Sequence, residues 1–202
     1  MKSDKLSEKT ADKDPFVQFS KWYNEHLEAG IAIPETVSLG TASSSGRVSV
    51  RTVLLKGYDE KGFVFFTNYN SKKGVQLSEN HSSALLFYWS ESGRQVRIEG
   101  ITEKVTDNES ASYFRTRPRE SQISAWASEQ SSIIPDRSSL EKRYDFFKAK
   151  FENQEVAKPP HWGGFRIIPD VFEFWSDGEF RLHDRIIYAR KKNGWVINRL
   201  AP

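Results

Sequence analysis

The longest proline-free stretch of the chain, between Pro34 and Pro118, is the feature that most constrains the fold. Apolar and polar residues mostly alternate there in short runs, and glycine-containing turns separate the runs. A meander or a small barrel has this rhythm, because side chains on a strand point alternately to its two faces. The predicted strands are Thr36–Ser43, Arg47–Lys56, Gly62–Asn68, Ser82–Trp89 and Arg94–Val105.

Further elements are predicted on either side of this stretch and within it. Capping residues and apolar stripes indicate helices from Pro15 to Gly30, from Ser71 through Leu77, from Thr106 toward Arg117 and from about Leu140 to Phe151. The strand pattern returns at Gly164–Ile168, Val171–Trp175, Leu182–Arg190 and Trp195–Leu200, with a hairpin signal at Asn193-Gly194. We therefore expect a mainly β fold with several packed helices.

Two parts of different character are expected along the chain. Residues Met1–Asp14 are rich in Lys, Ser, Asp and Glu and contain no aromatic residue, which is typical of a mobile arm unless a partner orders it. Residues 15–202 suffice for one domain with a sizeable core. We expect a single domain there.

Composition excludes several kinds of chemistry. Cysteine is absent and Met1 is the only methionine, so disulfides, thiolate nucleophiles and thiolate metal sites are excluded. The four histidines are too scattered to predict a metal site. A net charge of +3 without a basic stripe does not favour a nucleic-acid binder. The longest apolar run, Ala84–Trp89, is too short to span a membrane, and we expect a soluble cytoplasmic protein.

The segment Arg181–Arg185 has an unusual charge pattern. If it is extended, Arg181, His183 and Arg185 point to one face. Three potential cations in a row would repel one another unless an anionic or electron-rich group lies opposite them. A solvated edge strand is the alternative interpretation.

Two further segments carry paired cations. Arg51 and Lys56 differ by an odd number of positions, which places them on opposite faces of a regular strand, where they could hold different anions. Ser71-Lys72-Lys73 begins a predicted helix, where free amides and two lysines could hold a phosphate. In both cases ordinary solvated surface charge is the alternative.

A polar group follows the third predicted helix. Tyr113 and Arg117 lie one helical turn apart, and Ser121 follows just beyond Pro118. An arginine and two hydroxyls that converge would suit a phosphomonoester, whereas an amphipathic helix with a surface arginine is the commoner arrangement. No Ser-His-Asp or paired-carboxylate arrangement can be argued.

Taken together, these segments resemble the pyridoxine/pyridoxamine 5′-phosphate oxidases, which use flavin mononucleotide (FMN). The resemblance covers roughly Asp14 to Pro202. Its most specific parts are Arg51–Lys56, Gly62–Asn68, Ser71–Gly74, Arg94–Gly100, Tyr113–Gln122, Ala127–Ser131, Trp162-Gly163-Gly164, Glu173–Trp175, Arg181–Arg185 and Arg199–Pro202. It implies an FMN-binding split β-barrel of Greek-key type with surrounding α-helices.

The resemblance also implies roles for individual residues. FMN would be bound by Arg51, Thr52, Val53, Leu54, Leu55, Lys56, Phe66, Thr67, Lys72, Lys73, Gln95, Gln130, Ser131, Trp175 and Arg185. Gln95, Trp175 and Arg185 would come from the second subunit of a homodimer. The substrate would meet Lys56, Tyr113, Arg117 and Ser121 at its phosphate, and Arg181, Leu182 and His183 at its ring. Arg181 and His183 would position the ring over the flavin.

The implied reaction oxidises pyridoxamine or pyridoxine 5′-phosphate to pyridoxal 5′-phosphate, with O₂ as acceptor and H₂O₂ as product. Two departures from the family pattern stand out. Ser176-Asp177 replaces the usual Gln-Gly after Trp175, and Met1–Asp14 lacks the Arg and Tyr that close over the substrate in many members. The alternatives are a related flavin oxidase of the phenazine-biosynthesis type, a non-catalytic flavin or pyridoxal-phosphate carrier, and a basic RNA-binding barrel.

Overall fold

A computed structural model describes residues 6–30 and 33–202. Nine strands form one antiparallel sheet in this part of the chain. The strands are β1 Thr36–Ala42, β2 Val48–Leu54, β3 Gly57–Asp59, β4 Gly62–Asn68, β5 Ser82–Trp89, β6 Arg94–Lys104, β7 Trp162–Ser176, β8 Asp184–Lys191 and β9 Gly194–Arg199. The α-helices are α1 Pro15–Glu28, α2 Lys72–Glu79, α3 Asp107–Thr116, α4 Arg119–Ala127 and α5 Arg137–Lys150.

The strand order forces the sheet to curl. Along the main path the order is β2-β1-β5-β6-β7-β4-β3. Its two end strands, β2 and β3, are consecutive in the chain and are joined only by Leu55 and Lys56. The three residue steps from Leu54 to Gly57 span at most about 11 Å, so the ends of the sheet must meet, which gives a split barrel. This confirms the predicted mainly β fold with surrounding helices.

Strand β7 organises the barrel. It pairs with β6 from Phe165 to Ser176 and, on its other edge, with β4 through its first half and with β8 through its second half. The sequence pattern predicts two strands here, interrupted near Pro169. The structure has one strand of 15 residues, because a register shift at Glu99/Gly100 of β6 accommodates Pro169 opposite Gly100.

Local caps explain where the helices begin. The Asp14 carboxylate accepts the N–H of Phe16 at the start of α1, and the Thr106 hydroxyl accepts the N–H of Glu109 at the start of α3. Helix α4 is not among the predicted elements. Its N-cap is Pro118, which carries no side-chain cap and indicates the end of α3 more strongly than the start of another helix.

Aromatic side chains fill the barrel. Phe19 of α1 is fully buried and packs edge-on against Phe63 and Phe87, with ring centroids 4.9 and 5.1 Å away. A second, smaller cluster joins α3, α4 and the end of α5 to the start of β7 through Phe114, Ile123 and Trp162. The candidate site lies where the helices of this second cluster approach the barrel wall.

The N-terminal arm differs from the free segment expected for Met1–Asp14. Residues 1–5 lie outside the described residues, but residues 6–14 pack on the domain. Leu6 is buried in the main core, the Tyr188 hydroxyl donates to the Asp12 carbonyl at 2.6 Å, and Glu8 binds Arg199 at 3.0 Å. This part of the arm is therefore anchored to β8 and β9.

Candidate active site

A cavity of about 700 Å³ opens between the barrel wall and the helices that follow β6. Residues from β2, β4, α2, α3, α4 and the start of β7 line it. Eleven predicted site residues lie on its wall, namely Thr52, Val53, Leu54, Lys56, Phe66, Thr67, Lys73, Tyr113, Arg117, Ser121 and Gln130. Segments that are distant in sequence thus converge on one cleft.

One group of cations, which we call the Arg51–Lys73 group, lies at the start of α2. The Lys73 ammonium donates to Thr67 Oγ1 at 3.0 Å and to Gln130 Oε1 at 2.8 Å. The Arg51 guanidinium donates to the Thr41 hydroxyl at 2.6 Å and to the Leu39 carbonyl at 3.0 Å. All of these partners are neutral oxygens, so the described chain leaves both positive charges uncompensated.

The pKa values follow from this environment. Burial, together with the nearby Arg51 charge, lowers the pKa of Lys73 to about 8. Burial also lowers the pKa of Arg51. A protein tolerates two half-buried cations side by side when an anion binds between them. The Arg51–Lys73 group therefore has the chemistry of a phosphate site at a helix N-terminus.

The position of this helix depends on Gly74. A Cβ atom at Gly74 would lie 2.2 Å from the Tyr69 carbonyl oxygen, so only glycine lets α2 begin so close to the end of β4. Ser71 caps the helix by accepting the N–H of Gly74. These contacts bring Lys73 to Thr67 on β4.

A second group, which we call the Arg117 group, lies on the helical side of the cavity. It comprises Tyr113 of α3, Arg117 beyond it, Ser121 of α4 and Lys56 on the opposite wall. The Arg117 guanidinium lies 4.8 Å from the centre of the Trp162 ring, and its Nη1 is buried without a hydrogen-bond partner among the described residues. A buried unpaired N–H of a charged group is costly unless a ligand accepts it.

The electrostatics of the Arg117 group favour an anionic ligand. Burial lowers the pKa of Arg117, yet a guanidinium stays charged at neutral pH. Burial raises the pKa of Tyr113, which keeps its hydroxyl a neutral donor, and its ring stacks on Phe66 at 4.0 Å. Lys56 is 3.7 Å from Glu35, so it is the one member with a carboxylate neighbour among the described residues.

Three predicted residues, Gln95, Trp175 and Arg185, lie side by side on β6, β7 and β8, and we call them the row. Gln95 of β6 is in register with Trp175 of β7, and Trp175 is in register with Arg185 of β8. Glu173, which is buried, holds Arg185 at 2.7 Å and also binds Arg97. None of the row lines the cavity, so within the described chain the row and the cavity are separate.

The segment Arg181–Arg185 is not a continuous strand. Glu179–Arg181 forms a single 3₁₀ turn in which Phe180 and Arg181 have φ values of 58° and 62°, and β8 begins only at Asp184. The prediction that Arg181, His183 and Arg185 share one strand face is therefore wrong, because alternation holds only for extended residues. Leu182 is 70% exposed.

Arg51, which is near Lys73, and three remaining predicted residues do not line the cavity. Leu55 is buried in the main core. Lys72 is exposed at the first position of α2, and Ser131, with φ of 75°, follows Gln130. The structure leaves their predicted roles untested.

Sequence reasoning missed several residues that shape the site. Gln76 accepts hydrogen bonds from Thr41 at 2.6 Å and from Arg51 at 3.3 Å, and Trp162 packs under Arg117. No local pattern indicates Thr41 or Gln76, since they reach Arg51 from other elements. Trp162 could have been found from the sequence, because it belongs to a segment that supports the family resemblance. The other unpredicted lining residues are Asn68, Thr116, Pro118, Ser124, Ala125 and Ser128.

The described part of the chain holds neither a metal centre nor a membrane-spanning helix. Within residues 6–30 and 33–202, no three His, Asp or Glu side chains lie together so that they could hold a metal ion. No helix in the described part of the chain is both long and apolar enough to cross a membrane. The cytoplasmic location and the lack of a nucleic-acid partner stay predictions.

A split barrel whose cleft is lined by Lys73 and Arg117, neither of which has a carboxylate partner among the described residues, defines a class: proteins suited to hold phosphorylated small molecules. A family model described as pyridoxamine 5′-phosphate oxidase matches residues 23–149, and one described as pyridoxine 5′-phosphate oxidase C-terminal dimerisation region matches residues 162–202. The chain belongs to the pyridoxamine 5′-phosphate oxidase family, which is a family of enzymes.

Individual relatives agree with this membership. The chain is 51% identical over 198 residues to a pyridoxine/pyridoxamine 5′-phosphate oxidase of Nostoc punctiforme, covering 98% of this chain and 92% of the relative. It is 52% identical over 192 residues to one of Burkholderia thailandensis, covering 94% and 89%. Among solved structures, PhzG from Burkholderia lata in complex with tetrahydrophenazine-1-carboxylic acid superposes with a TM-score of 0.92 at 29% identity, with both chains fully covered.

Proposed function

We propose that this protein oxidises pyridoxamine 5′-phosphate and pyridoxine 5′-phosphate to pyridoxal 5′-phosphate. O₂ is the electron acceptor and H₂O₂ the product. The amine substrate also consumes one water and releases ammonia, whereas the alcohol does not. The observation that carries the proposal is that Lys73 and Arg117 line one cleft without a carboxylate partner among the described residues, because the reaction needs one phosphate on the cofactor and another on the substrate.

The residues of the Arg51–Lys73 group fit FMN. Arg51 and Lys73 hold a phosphate at the start of α2, and the strand Thr52–Lys56 with Phe66 and Thr67 forms the wall beside it. FMN, when bound, supplies the acceptor for the hydride that leaves the C4′ carbon of the substrate. The protein contributes binding, orientation and charge.

The Arg117 group fits the substrate phosphate. The unpaired Nη1 of Arg117 and the hydroxyls of Tyr113 and Ser121 are all donors, and Lys56 adds a charge from the facing wall. Charge-assisted hydrogen bonds of this kind contribute roughly 1.5–3 kcal/mol each. A phosphate held here would fix one end of the substrate and leave its ring to be positioned along the cleft.

A homodimer supplies the remaining half-site. Gln95, Trp175 and Arg185 form a row away from the cavity of their own chain, and the chain matches a dimerisation region over residues 162–202. We propose that the row of one subunit completes the cavity of the other, with FMN at the interface. Arg181 and His183, next to the row, would then position the pyridine ring and would not act as obligatory proton-transfer groups.

A second candidate function follows from the likeness to PhzG. An oxidase that acts on a phenazine precursor must recognise a ring carboxylate. The Arg117 group contains a charged guanidinium, a second cation and two hydroxyls. These groups offer more hydrogen-bond donors than the two oxygens of a carboxylate require. This favours the phosphorylated substrate.

Activity measurements separate these candidates. The purified protein is expected to be yellow, or to become yellow with added FMN, and to form pyridoxal 5′-phosphate and H₂O₂ from pyridoxamine 5′-phosphate in air. A protein that takes up no FMN would overturn the oxidase proposal. A flavin-loaded protein that turns over neither phosphorylated substrate would favour a carrier, and turnover of a tricyclic carboxylate alone would favour the phenazine type.

A further inference from the structure

One cation of the Arg117 group has a carboxylate next to it. The Lys56 ammonium lies 3.7 Å from Oε1 of Glu35, and the two side chains are 26% and 31% exposed. Lys56 lines the cavity, whereas Glu35 does not. The carboxylate is therefore one step removed from a ligand in the cavity, with Lys56 between them.

The sheet fixes the backbone of both residues. Glu35 directly precedes β1, and its carbonyl accepts the N–H of Leu55 at 2.8 Å. The next residue, Lys56, donates its own N–H to the Val64 carbonyl on β4 at 2.8 Å. The pair is thus built at the point where the end of β2 meets the start of β1, and a change of the Glu35 side chain leaves these backbone contacts in place.

The contact between the two charges is a loose one. A separation of 3.7 Å exceeds the length of a hydrogen bond, and the Lys56 ammonium makes no hydrogen bond to any residue in the described part of the chain. Its three donors are free, and its four-carbon stem is flexible. Lys56 can therefore turn to a phosphate without breaking a hydrogen bond and gives up only a modest attraction between partly exposed charges.

The Glu35 charge also reaches a second member of the Arg117 group. Burial raises the pKa of the Tyr113 hydroxyl, the Arg117 charge lowers it, and the Glu35 charge raises it. A phosphate that accepts from this hydroxyl is negative as well, so the same carboxylate repels it. Glu35 thus opposes the anion that the rest of the group attracts.

We propose that Glu35 is an exchangeable counterion of Lys56 and that it limits the affinity of the Arg117 group for a phosphate monoester. Lys56 pairs with Glu35 while the group is empty and donates to the phosphate when a ligand binds. When the ligand leaves, Lys56 returns to the carboxylate. The inference rests on the proposed function for the identity of the ligand.

The exchange matters because substrate and product carry the same phosphate. Binding energy at this end is common to both, so a very tight phosphate site would retain the product as well as the substrate. Arg117, which has no carboxylate partner among the described residues, holds the phosphate. Lys56 with Glu35 sets how long the phosphate stays, since differences in affinity among variants of one site arise mainly in the dissociation rate.

The test compares Glu35→Gln with Glu60→Gln in the FMN-loaded protein. Glutamine keeps the size of the Glu35 side chain and removes its charge. Glu60 is exposed in the turn between β3 and β4 and forms no ion pair with any described residue, so its change controls for net charge. Titration calorimetry with inorganic phosphate and with pyridoxal 5′-phosphate measures the Kd of each variant.

We expect Glu35→Gln to lower both Kd values about twofold to fivefold, which is the size of effect that a partly exposed ion pair allows. The KM for pyridoxamine 5′-phosphate and the inhibition constant of pyridoxal 5′-phosphate should fall with them. Glu60→Gln should stay within about 1.5-fold of the wild type. Glu35→Asp keeps the charge and should stay closer to the wild type than Glu35→Gln does.

The inference is overturned if Glu35→Gln binds phosphate no more tightly than the wild type, and weaker binding would show that the carboxylate orients Lys56 for the ligand. Equal tightening in Glu60→Gln or in Glu35→Asp would also overturn it. Damage to the fold cannot imitate the expected result, because it would weaken binding. If the wild-type protein oxidises no phosphorylated vitamer, the proposed function fails, and the titration with inorganic phosphate still decides the role of Glu35.

Discussion

The guanidinium of Arg117 lies 4.8 Å from the centre of the Trp162 ring, held on an aromatic face with one N–H buried and unpaired. Arg117→Met keeps the packing on Trp162 and removes the charge. We expect KM for pyridoxamine 5′-phosphate to rise about tenfold or more, since roughly 1.5–3 kcal/mol is lost with a charge-assisted hydrogen bond. Steady-state kinetics at saturating FMN measures this.

The same variant should not be less stable than the wild type, because replacing a buried unpaired charge by an apolar group is neutral or favourable. Arg115→Met is the matched control, since Arg115 is on the same helix but 64% exposed. Its KM should stay within about twofold of the wild type. An equal rise in both variants would contradict a phosphate role for Arg117.

The affinity for FMN should fall as the pH rises above 8. Burial and Arg51 lower the pKa of Lys73 to about 8, whereas a bound phosphate raises it, so binding above pH 8 takes up a proton. The Kd is then expected to rise by at most about tenfold per pH unit. Quenching of flavin fluorescence between pH 7 and 9.5 measures the Kd.

Lys73→Met should bind FMN more weakly and lose this slope. Lys142→Met, a change of exposed charge on α5, should retain it. A wild-type Kd that is constant from pH 7 to 9.5 would show that Lys73 does not contact the phosphate.

Glu173→Gln should destabilise the fold. Glu173 is 3% exposed and binds both Arg97 and Arg185, so loss of its charge should lower the free energy of unfolding by about 2 kcal/mol at pH 7. Glu99→Gln is the control, because Glu99 contacts Arg97 from a position that is 40% exposed. Urea denaturation of both variants compares them, and equal losses would contradict the prediction.

The contribution of Glu173 to the free energy of unfolding also depends on pH. Burial alone would raise the pKa of this carboxyl, but hydrogen bonds from Arg185 and Arg97 lower it below its ordinary value of 4.5. A carboxyl group whose pKa is lower in the folded state than in the unfolded state stabilises the fold at pH values above its unfolded-state pKa. This stabilisation is lost as the pH falls through the folded-state pKa. The difference in the free energy of unfolding between the wild type and Glu173→Gln should therefore become smaller only at acidic pH.

Gly74→Ala should weaken both the fold and the binding of FMN. The added Cβ would lie 2.2 Å from the Tyr69 carbonyl oxygen, so α2 must move, at a cost of about 1–3 kcal/mol, and Lys73 moves with it. Gly57→Ala meets nothing within 4 Å and should change stability by less than about 0.5 kcal/mol. Thermal unfolding and FMN titration test both.

Shared sites predict complementation between two defective subunits. Arg117→Met affects the cavity, and Arg185→Gln affects the row, so a heterodimer has one site with both changes and one site with neither. If each site uses the cavity of one chain and the row of the other, the purified heterodimer should recover about half of the wild-type activity. Activity no higher than in either homodimer would show that the two half-sites do not combine across subunits.

Local patterns were sufficient for much of the fold. The bounds of β4 and β5 agree with the predicted Gly62–Asn68 and Ser82–Trp89, because alternation and turn residues determine strands that pair with close neighbours. The hairpin at Asn193-Gly194 was predicted for the same reason. Long-range geometry could not be read in this way: β7 continues past Pro169 only because β6 has a register shift there.

The candidate site, like the fold, combines features that local sequence patterns predict with features that depend on long-range geometry. Helix capping at Ser71 and the spacing of Tyr113 and Arg117 are local signals, and Lys73, Tyr113 and Arg117 line the cavity. Arg51 on β2 is supported by Thr41 from β1 and by Gln76 from α2, and no local sequence pattern brings these elements together. At Arg181 the assumption of an extended strand failed, because two left-handed residues interrupt it.

The cations of the Arg51–Lys73 group are expected to affect the abundance of the protein in the cell. With no carboxylate among the described residues to balance them, their charge is compensated when a phosphate binds, and a ligand at 100 times its Kd adds about 2.7 kcal/mol to folding. With the proposed FMN as this ligand, protein made while riboflavin is scarce would spend more time unfolded and be degraded sooner. The steady-state amount of the enzyme would then follow the nutritional supply of the vitamin from which its cofactor is made.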